Sequence, residues 1–441
     1  MTTPRTIQIE ERVPLLQSIP LSLQHLFAMF GATVLVPLLV GLHPSVTLFT
    51  SGVGTLLYIF ITKGKIPAYL GSSFAFIAAI ASITHASFGV PSTDEAIATA
   101  MGGCVAVGLI YVAVALAIGA FGSAWINRIL PPVVIGPVVM VIGLGLAQVA
   151  VAMATTGSGV PSNVFRPELF RGDYFAVALV ALAIAALAAQ FFKGFLGVIP
   201  ILIGVVGGYL VAAVFGQVKF DAVASAGAFA VPHFVLPRFD LASVVLLAPI
   251  SLVVITEHVG HLIVTNNVVG RDLVKDPGLH RSLAGDGVAT IVSGLLGGPP
   301  NTTYGENIGV MAVTRVFSVW VIGGAAVMAV AMSFLPKVGA LIASIPVHVM
   351  GGICILLFGI IASAGVRMMV EDKTDFSQKR NLIIASVILV IGIGGAKIHL
   401  GGTEIGEMSL ATYVGVLLNL VLPKAGGEAA GVVEAETQPD V

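Results

Sequence analysis

Two glutamates and a histidine stand in apolar surroundings where charge is expensive. Glu257 lies inside VVITEHVGHLIV, and Glu306 follows NTTYG. A carboxylate in the middle of a membrane span costs on the order of 3 kcal/mol on insertion scales and marks function by default. The alternative is a structural polar contact between helices. His261 follows Glu257 by four residues, which on a helix puts both on one face within reach of each other. A carboxylate–imidazole pair can share and pass a proton, as a proton relay requires. The plainer reading is a histidine that only satisfies Glu257. His258 points about 100° away round such a helix and reads as structural, as do His348 and His399 near run ends. His25 is either a satisfied core histidine or a residue lining the site. Asp286 falls near the cytoplasmic start of its run, where it is expected to favour a helix N-terminus.

No Arg or Lys occupies the centre of an apolar run, whereas an anion site would usually show a cation. Two carboxylates suit a substrate that presents hydrogen-bond donors. Phe74, Phe76 and Tyr304 are available to stack on a flat ring, although aromatics in such runs more often simply pack. A flat, neutral heterocycle with N–H donors and C=O acceptors fits this set. Glu257-His258-x-x-His261 has the wrong order for the zinc protease motif His-Glu-x-x-His, and no third ligand is apparent, so an intramembrane metalloenzyme is disfavoured. Cys104 and Cys354 sit in apolar runs and form neither a disulfide framework nor a metal spacing. No cofactor or metal is expected.

The elements that hold these residues follow from composition. The 441 residues are 57% hydrophobic and 10% charged, against about 25% charged in a soluble protein, and mean hydropathy is +1.04. Such a chain cannot cover a water-facing surface, so a soluble enzyme and a disordered chain are excluded. A membrane barrel would show alternating segments of about ten residues. A formal net charge of -1 offers no basic face to nucleic acid. An all-α polytopic membrane protein remains.

A span needs about 20 apolar residues. Fourteen apolar runs are expected to cross: 17–40, 45–62, 67–84, 97–120, 130–152, 174–192, 197–215, 242–264, 282–298, 302–314, 317–335, 340–363, 380–396 and 407–423. The polar stretch 1–13 does not resemble a cleaved signal. With the N-terminus in the cytoplasm and the spans alternating, fifteen of the 21 Lys and Arg fall on the cytoplasmic side and six opposite, as the positive-inside rule demands. An even span number puts both termini inside. Residues 425–441 are acidic and aperiodic, and a disordered cytoplasmic tail is expected there.

The two halves resemble each other. Pro20-Leu21-Ser22-Leu23 matches Pro249-Ile250-Ser251-Leu252 at an offset of 229, and Ser72-Ser73-Phe74-Ala75 matches Thr302-Thr303-Tyr304-Gly305 at 230. Pro131, Val134 and Gly136 match Pro346, Val349 and Gly351 at 215. Seven spans per copy would invert one copy relative to the other, the plan of many secondary transporters. Runs three and ten are both interrupted, by Pro67 and Gly71-Ser72-Ser73 and by Pro299-Pro300-Asn301-Thr302-Thr303. Corresponding broken segments point to a binding site, because frayed helix ends offer free N–H groups. Loop ends of short spans are the alternative.

Glu306-Asn307-x-Gly309, followed after four residues by Thr314-Arg315, resembles the signature of the nucleobase–ascorbate transporter family at every defined position. NTTYGENIGV, TEHVGHLIV, DPGLHRS, SLQHLFAMFGATVLVP and GKIPAYLGSSFAFI resemble its uracil-carrying bacterial members, and the likeness runs from about Pro14 to Lys424. The resemblance implies fourteen segments in two inverted repeats, with short strands in segments 3 and 10. It implies a core domain (14–124, spans 1–4; 242–335, spans 8–11) and a gate domain (125–241, spans 5–7; 336–424, spans 12–14). It implies uracil import by proton symport across the bacterial inner membrane, commonly as a homodimer. A purine such as xanthine is the alternative substrate, and an anion exchanger of the same fold the remoter one. Carried over by motif, Glu257 and Glu306 bind the ring through side chains and Phe74 and Gly305 through backbone groups, while Glu257 and His261 handle the proton. Tyr304, His25, Cys354 and Phe358 are further candidates for lining the site. Cys354 and Phe358 depart from the family, standing where gate hydroxyls can occur.

Overall fold

The structure, a computed structural model, describes residues 6–156, 167–400 and 403–423. The tail expected at 425–441 lies outside the described residues. An apolar chain in lipid must satisfy its backbone internally, which selects helices. Eighteen follow one another among the described residues: α1 Leu15–Val40, α2 Pro44–Ile61, α3 Ile77–Thr84, α4 Asp94–Phe121, α5 Ala124–Ile129, α6 Pro132–Gly145, α7 Ala147–Thr156, α8 Gly172–Phe191, α9 Pro200–Val214, α10 Asp221–Ser225, α11 Leu241–Val269, α12 Leu279–Leu295, α13 Gly305–Thr314, α14 Val319–Ser333, α15 Pro336–Ala343, α16 Val347–Glu371, α17 Lys379–Ile393 and α18 Glu407–Val421. Seven, counting α6 and α7 as one, are long and apolar enough to cross a membrane. Two short antiparallel pairs join β1 Leu70–Ser72 to β2 Asn301–Thr303 and β3 Ile398–Leu400 to β4 Thr403–Ile405.

Local chemistry sets the ends of the helices that matter most. The Asp240 side chain caps α11 by accepting from the Ser243 N–H, and Gly270 closes that helix with a left-handed residue. Thr93 caps α4, with Asp94 and Glu95 in its first turn.

The helices pack in two groups. In one, α12 lies on α4 and α2, and α14 lies on α2 and α1. In the other, α16 packs on α6, α7, α8 and α9, and α17 packs on α6 and α18. Small residues bring backbones together, as is usual in membranes. A Cβ on Gly352 of α16 would sit 2.0 Å from the carbonyl oxygen of Ala178 on α8.

Three of the differences from the sequence reading stand out. Helix α15 was not expected; it turns 86° from α14 where Leu335-Pro336 breaks the run, because proline ends one helix and starts the next. Asp286 is not at a helix start: α12 begins at Leu279, which carries Asp286 well inside it and leaves it fully buried. The polar N-terminal stretch is not free. The Ile7 N–H donates to the Arg315 carbonyl, the Phe317 N–H to the Ile7 carbonyl and the Val319 N–H to the Ile9 carbonyl. Glu10 pairs with Arg271 through two contacts, at 2.5 and 3.1 Å, and Ile9 is fully buried. Arg12 stacks over Trp320.

Candidate functional site

The β1–β2 pairing brings two interrupted segments together, with Leu70 opposite Thr303, Gly71 opposite Thr302 and Ser72 opposite Asn301. The Ser73 N–H donates to the Pro300 carbonyl and the Tyr304 N–H to the Tyr69 carbonyl, extending the ladder at both ends. Each strand then runs directly into a helix. A short 3₁₀ turn, Phe74–Phe76, leads from β1 to α3, and α13 starts at Gly305 after β2. The first N–H groups of a helix have no partner within it. Among the described residues neither the Phe74 N–H nor the Gly305 N–H finds an acceptor. The side-chain hydroxyls of Ser72, Ser73 and Thr302 are likewise buried without a hydrogen-bond partner.

Helix α11 packs against this crossing, touching β2, α13 and the 3₁₀ turn, and supplies Glu257 and His261. Phe74, Glu257, His261, Gly305 and Glu306 are all half-buried, while Ser73, His258, Tyr304 and Asn307 around them are buried. Each of the five therefore keeps part of its surface accessible. Glu306 stands in the first turn of α13, where the helix dipole favours its charge. It interacts electrostatically with both His261 and Glu257. Glu257 has no hydrogen bond or ion pair among the described residues.

Glu257 and His261 share a face of α11, as the spacing expects, but no hydrogen bond joins them among the described residues. His261 instead places Nδ1 3.0 Å from the Thr303 Oγ1, and its Nε2 reaches 3.4 Å from where a Cβ on Gly305 would be. The histidine thus bridges α11 to the second broken segment. His258 belongs to a separate buried chain. Its Nδ1 is 3.0 Å from Asp286 Oδ2, its Nε2 is 2.7 Å from Ser282 Oγ, and Ser282 shares a 2.7 Å hydrogen bond with the Tyr58 hydroxyl.

The other candidates divide. The Tyr304 hydroxyl donates to the Ser72 carbonyl at 3.2 Å and meets Thr33 Oγ1 at 3.1 Å, so its polar end ties α1 to the crossing. His25 is buried and accepts at Nδ1 from Asn307 Nδ2, 3.1 Å away; the same amide also donates to the His25 carbonyl. Phe76 is fully buried packing. Cys354 and Phe358 are buried on α16, within the second helix group, and among the described residues the Cys354 thiol makes no hydrogen bond to the crossing. The sequence reading did not single out Asn307 or Thr303 as site residues. Both signals were available: Asn307 is the second position of the quoted signature, and Thr303 ends the hydroxyl pair.

The sequence pattern of the Permease family matches residues 16–401. The chain belongs to that family. It is 53% identical over 421 residues to the uracil permease of Bacillus subtilis (strain 168), covering 94% of each chain. It is 47% identical to the uracil permease of Escherichia coli (strain K12), covering 95% of this chain and 94% of the relative. The putative pyrimidine permease RutG of the same strain is 41% identical, over 94% and 91%. Two solved structures share the fold at low identity. The transmembrane domain of the cyanobacterial bicarbonate transporter BicA matches with a TM-score of 0.61 and 15% identity, over 94% of this chain and all of that one. The murine anion transporter Slc26a9 in its inward-facing state matches with 0.70 and 12%, over 93% and 68%. This permease is thus a multi-pass membrane transporter rather than an enzyme.

Proposed function

We propose that this permease imports uracil by proton symport across the bacterial inner membrane. The observation that carries the reading is the juxtaposition of two unbonded backbone N–H groups, at Phe74 and Gly305, with two half-buried carboxylates, Glu257 and Glu306. Uracil presents the complementary set: two ring N–H donors and two carbonyl acceptors. Its N–H groups donate to Glu257 and Glu306, and its carbonyls accept from the Phe74 and Gly305 ends. Bonds to an ionised carboxylate are roughly twice as strong as neutral ones. The names of the similar permeases support uracil as the substrate.

A proton taken up by Glu257 and His261 neutralises charge before the loaded site passes the apolar barrier, since a neutral acid is cheaper to bury than a carboxylate. Thr303 holds His261 beside the segment that binds substrate, which supports coupling of the two events. The fold comprises fourteen segments in two inverted repeats with both termini cytoplasmic. The group around α12 and α14 moves as the core against the group around α16, which forms the gate, and the protein works as a homodimer. Cys354 and Phe358 replace hydroxyls on the gate, so the gate side contributes shape rather than hydrogen bonds.

Labelled uracil uptake into proteoliposomes, with and without an inward proton gradient, tests this. Uptake stimulated by the gradient, blocked by excess uracil but not by xanthine, and reduced at least 100-fold in Glu306→Gln is expected. Uptake indifferent to the gradient removes proton coupling. Blockage by xanthine moves the substrate to purines, and wild-type uptake by Glu306→Gln removes the site.

A further inference from the structure

Three residues that transport does not use meet at one end of the molecule. His43 immediately precedes α2, Asp94 is the first residue of α4, and His233 lies in the extended segment between α10 and α11. His233 Nε2 is 3.0 Å from Asp94 Oδ2. The rings of His43 and His233 meet edge-on with centroids 5.0 Å apart. One donor atom from each of the three residues lies within 4.8 Å of the other two.

We propose that His43, Asp94 and His233 form a binding site for a divalent transition-metal ion of the zinc class. Zinc takes imidazole nitrogen and carboxylate oxygen at about 2.0–2.2 Å in a tetrahedron, which sets its donors about 3.4 Å apart. The His233–Asp94 pair already lies at 3.0 Å and all three donors within 4.8 Å, so binding requires the side chains to draw together. Two imidazoles with one carboxylate select zinc, nickel, cobalt or copper over magnesium and calcium, which prefer all-oxygen sets. Three protein ligands leave a fourth position for water. Asp94 and His233 are well exposed, with side-chain accessibilities of 62% and 58%, so the ion can exchange freely. The charge bias along the chain places the loops after runs one, three and seven on the side away from the cytoplasm, and these loops carry the three ligands. The site therefore samples external metal.

The position gives the ion a structural effect. The segment holding His233 is pinned on either side, by the Ala230 N–H donating to the Phe334 carbonyl and the Arg238 N–H donating to the Ala98 carbonyl. A metal between those points ties the connection from α10 to α11 onto the starts of α2 and α4. A ligand that binds only the folded form raises its stability by mass action.

Isothermal titration of the purified full-length protein, free of any histidine tag, with zinc chloride tests the proposal, with magnesium chloride as the control. One saturable zinc site of micromolar affinity, no magnesium binding and a zinc-dependent rise in Tm are expected. Asp94→Asn and the double variant His43→Ala/His233→Ala should keep the metal-free Tm and each weaken zinc binding at least 10-fold. Absence of saturable zinc binding in the unaltered protein overturns the proposal. So does unchanged zinc affinity in both variants, which would place the ion elsewhere. Uracil uptake plays no part in the readout.

Discussion

Asp286 and His258 sit 3.0 Å apart with side-chain accessibilities of 0% and 1%. Removing the carboxylate leaves the buried His258 Nδ1 without its neighbour, and an unsatisfied buried polar group costs about 1–3 kcal/mol. Asp286→Ala should therefore lower thermal stability in detergent by that order. A Tm within a degree or two of the parent protein would show that the pair carries no structural weight. A second residue-scale consequence concerns Gly71. A Cβ there would fall 2.5 Å from the Tyr304 ring and 2.6 Å from its hydroxyl, and that ring is anchored by Thr33 and Ser72. Gly71→Ala should cost about 1–3 kcal/mol through overpacking, and adding Tyr304→Leu should recover part of the loss. Equal melting of Gly71→Ala and the parent would mean that the ring yields freely. At this scale the sequence was informative. Glu257, His261 and Glu306 stood out because their chemistry conflicts with their apolar surroundings. The bonding partner of His261 was not legible, because Thr303 approaches it through folding from 42 residues away.

Helix α11 carries both Glu257 and His261, so its start fixes the site's position along the axis. Asp240 provides the cap. Asp240→Ala should destabilise by about 1 kcal/mol while Asp240→Ser retains most of the stability. If the two variants melt alike, another group holds that end. Elements were legible where a long apolar run carried them, as with α4 and α11. Shorter features escaped for particular reasons. The β3–β4 hairpin is only three residues a side, and its one cue was Gly401-Gly402 between two short triplets. Helix α15 was hidden because its residues continue the apolar composition of α14. Asp286 was misplaced by a start set three residues late, since His280 and Arg281 look like loop yet belong to the helix.

Across the whole molecule, the N-terminal stretch acts as a strap over the α13–α14 connection. Nothing in residues 6–12 announces this, since polar residues at a chain end carry no periodicity to read. The Arg271 guanidinium hydrogen-bonds the Glu10 carboxylate and holds it below its ordinary value of 4.5. Because the folded value is the lower one, the pair's contribution is fully present above the ordinary carboxylate range and is lost as pH falls through the folded value. Trp320 lies beneath Arg12 and reports on the strap once Trp125 is replaced by Phe. Its fluorescence should stay flat from pH 7 to about 5 and change below the ordinary carboxylate range. Glu10→Gln should abolish that acid transition. An unaltered transition in Glu10→Gln would assign it to another group.

The crossing of β1 and β2 also has a consequence for biogenesis. Ser72 and Tyr304 are 232 residues apart in the chain. At a synthesis rate of about 5–20 residues per second, the first strand emerges about 10–50 s before its partner. During that interval a polar, unpaired strand edge sits in a half-made protein, where lipid offers it nothing to bond. The first half must therefore hold β1 in the company of its own α2, whose Ser51 and Thr55 hydroxyls already bond to the Leu70 carbonyl. Those bonds fix the edge of β1 that faces α2, so the strand is positioned early while its other edge, the one that meets β2, waits for the second half.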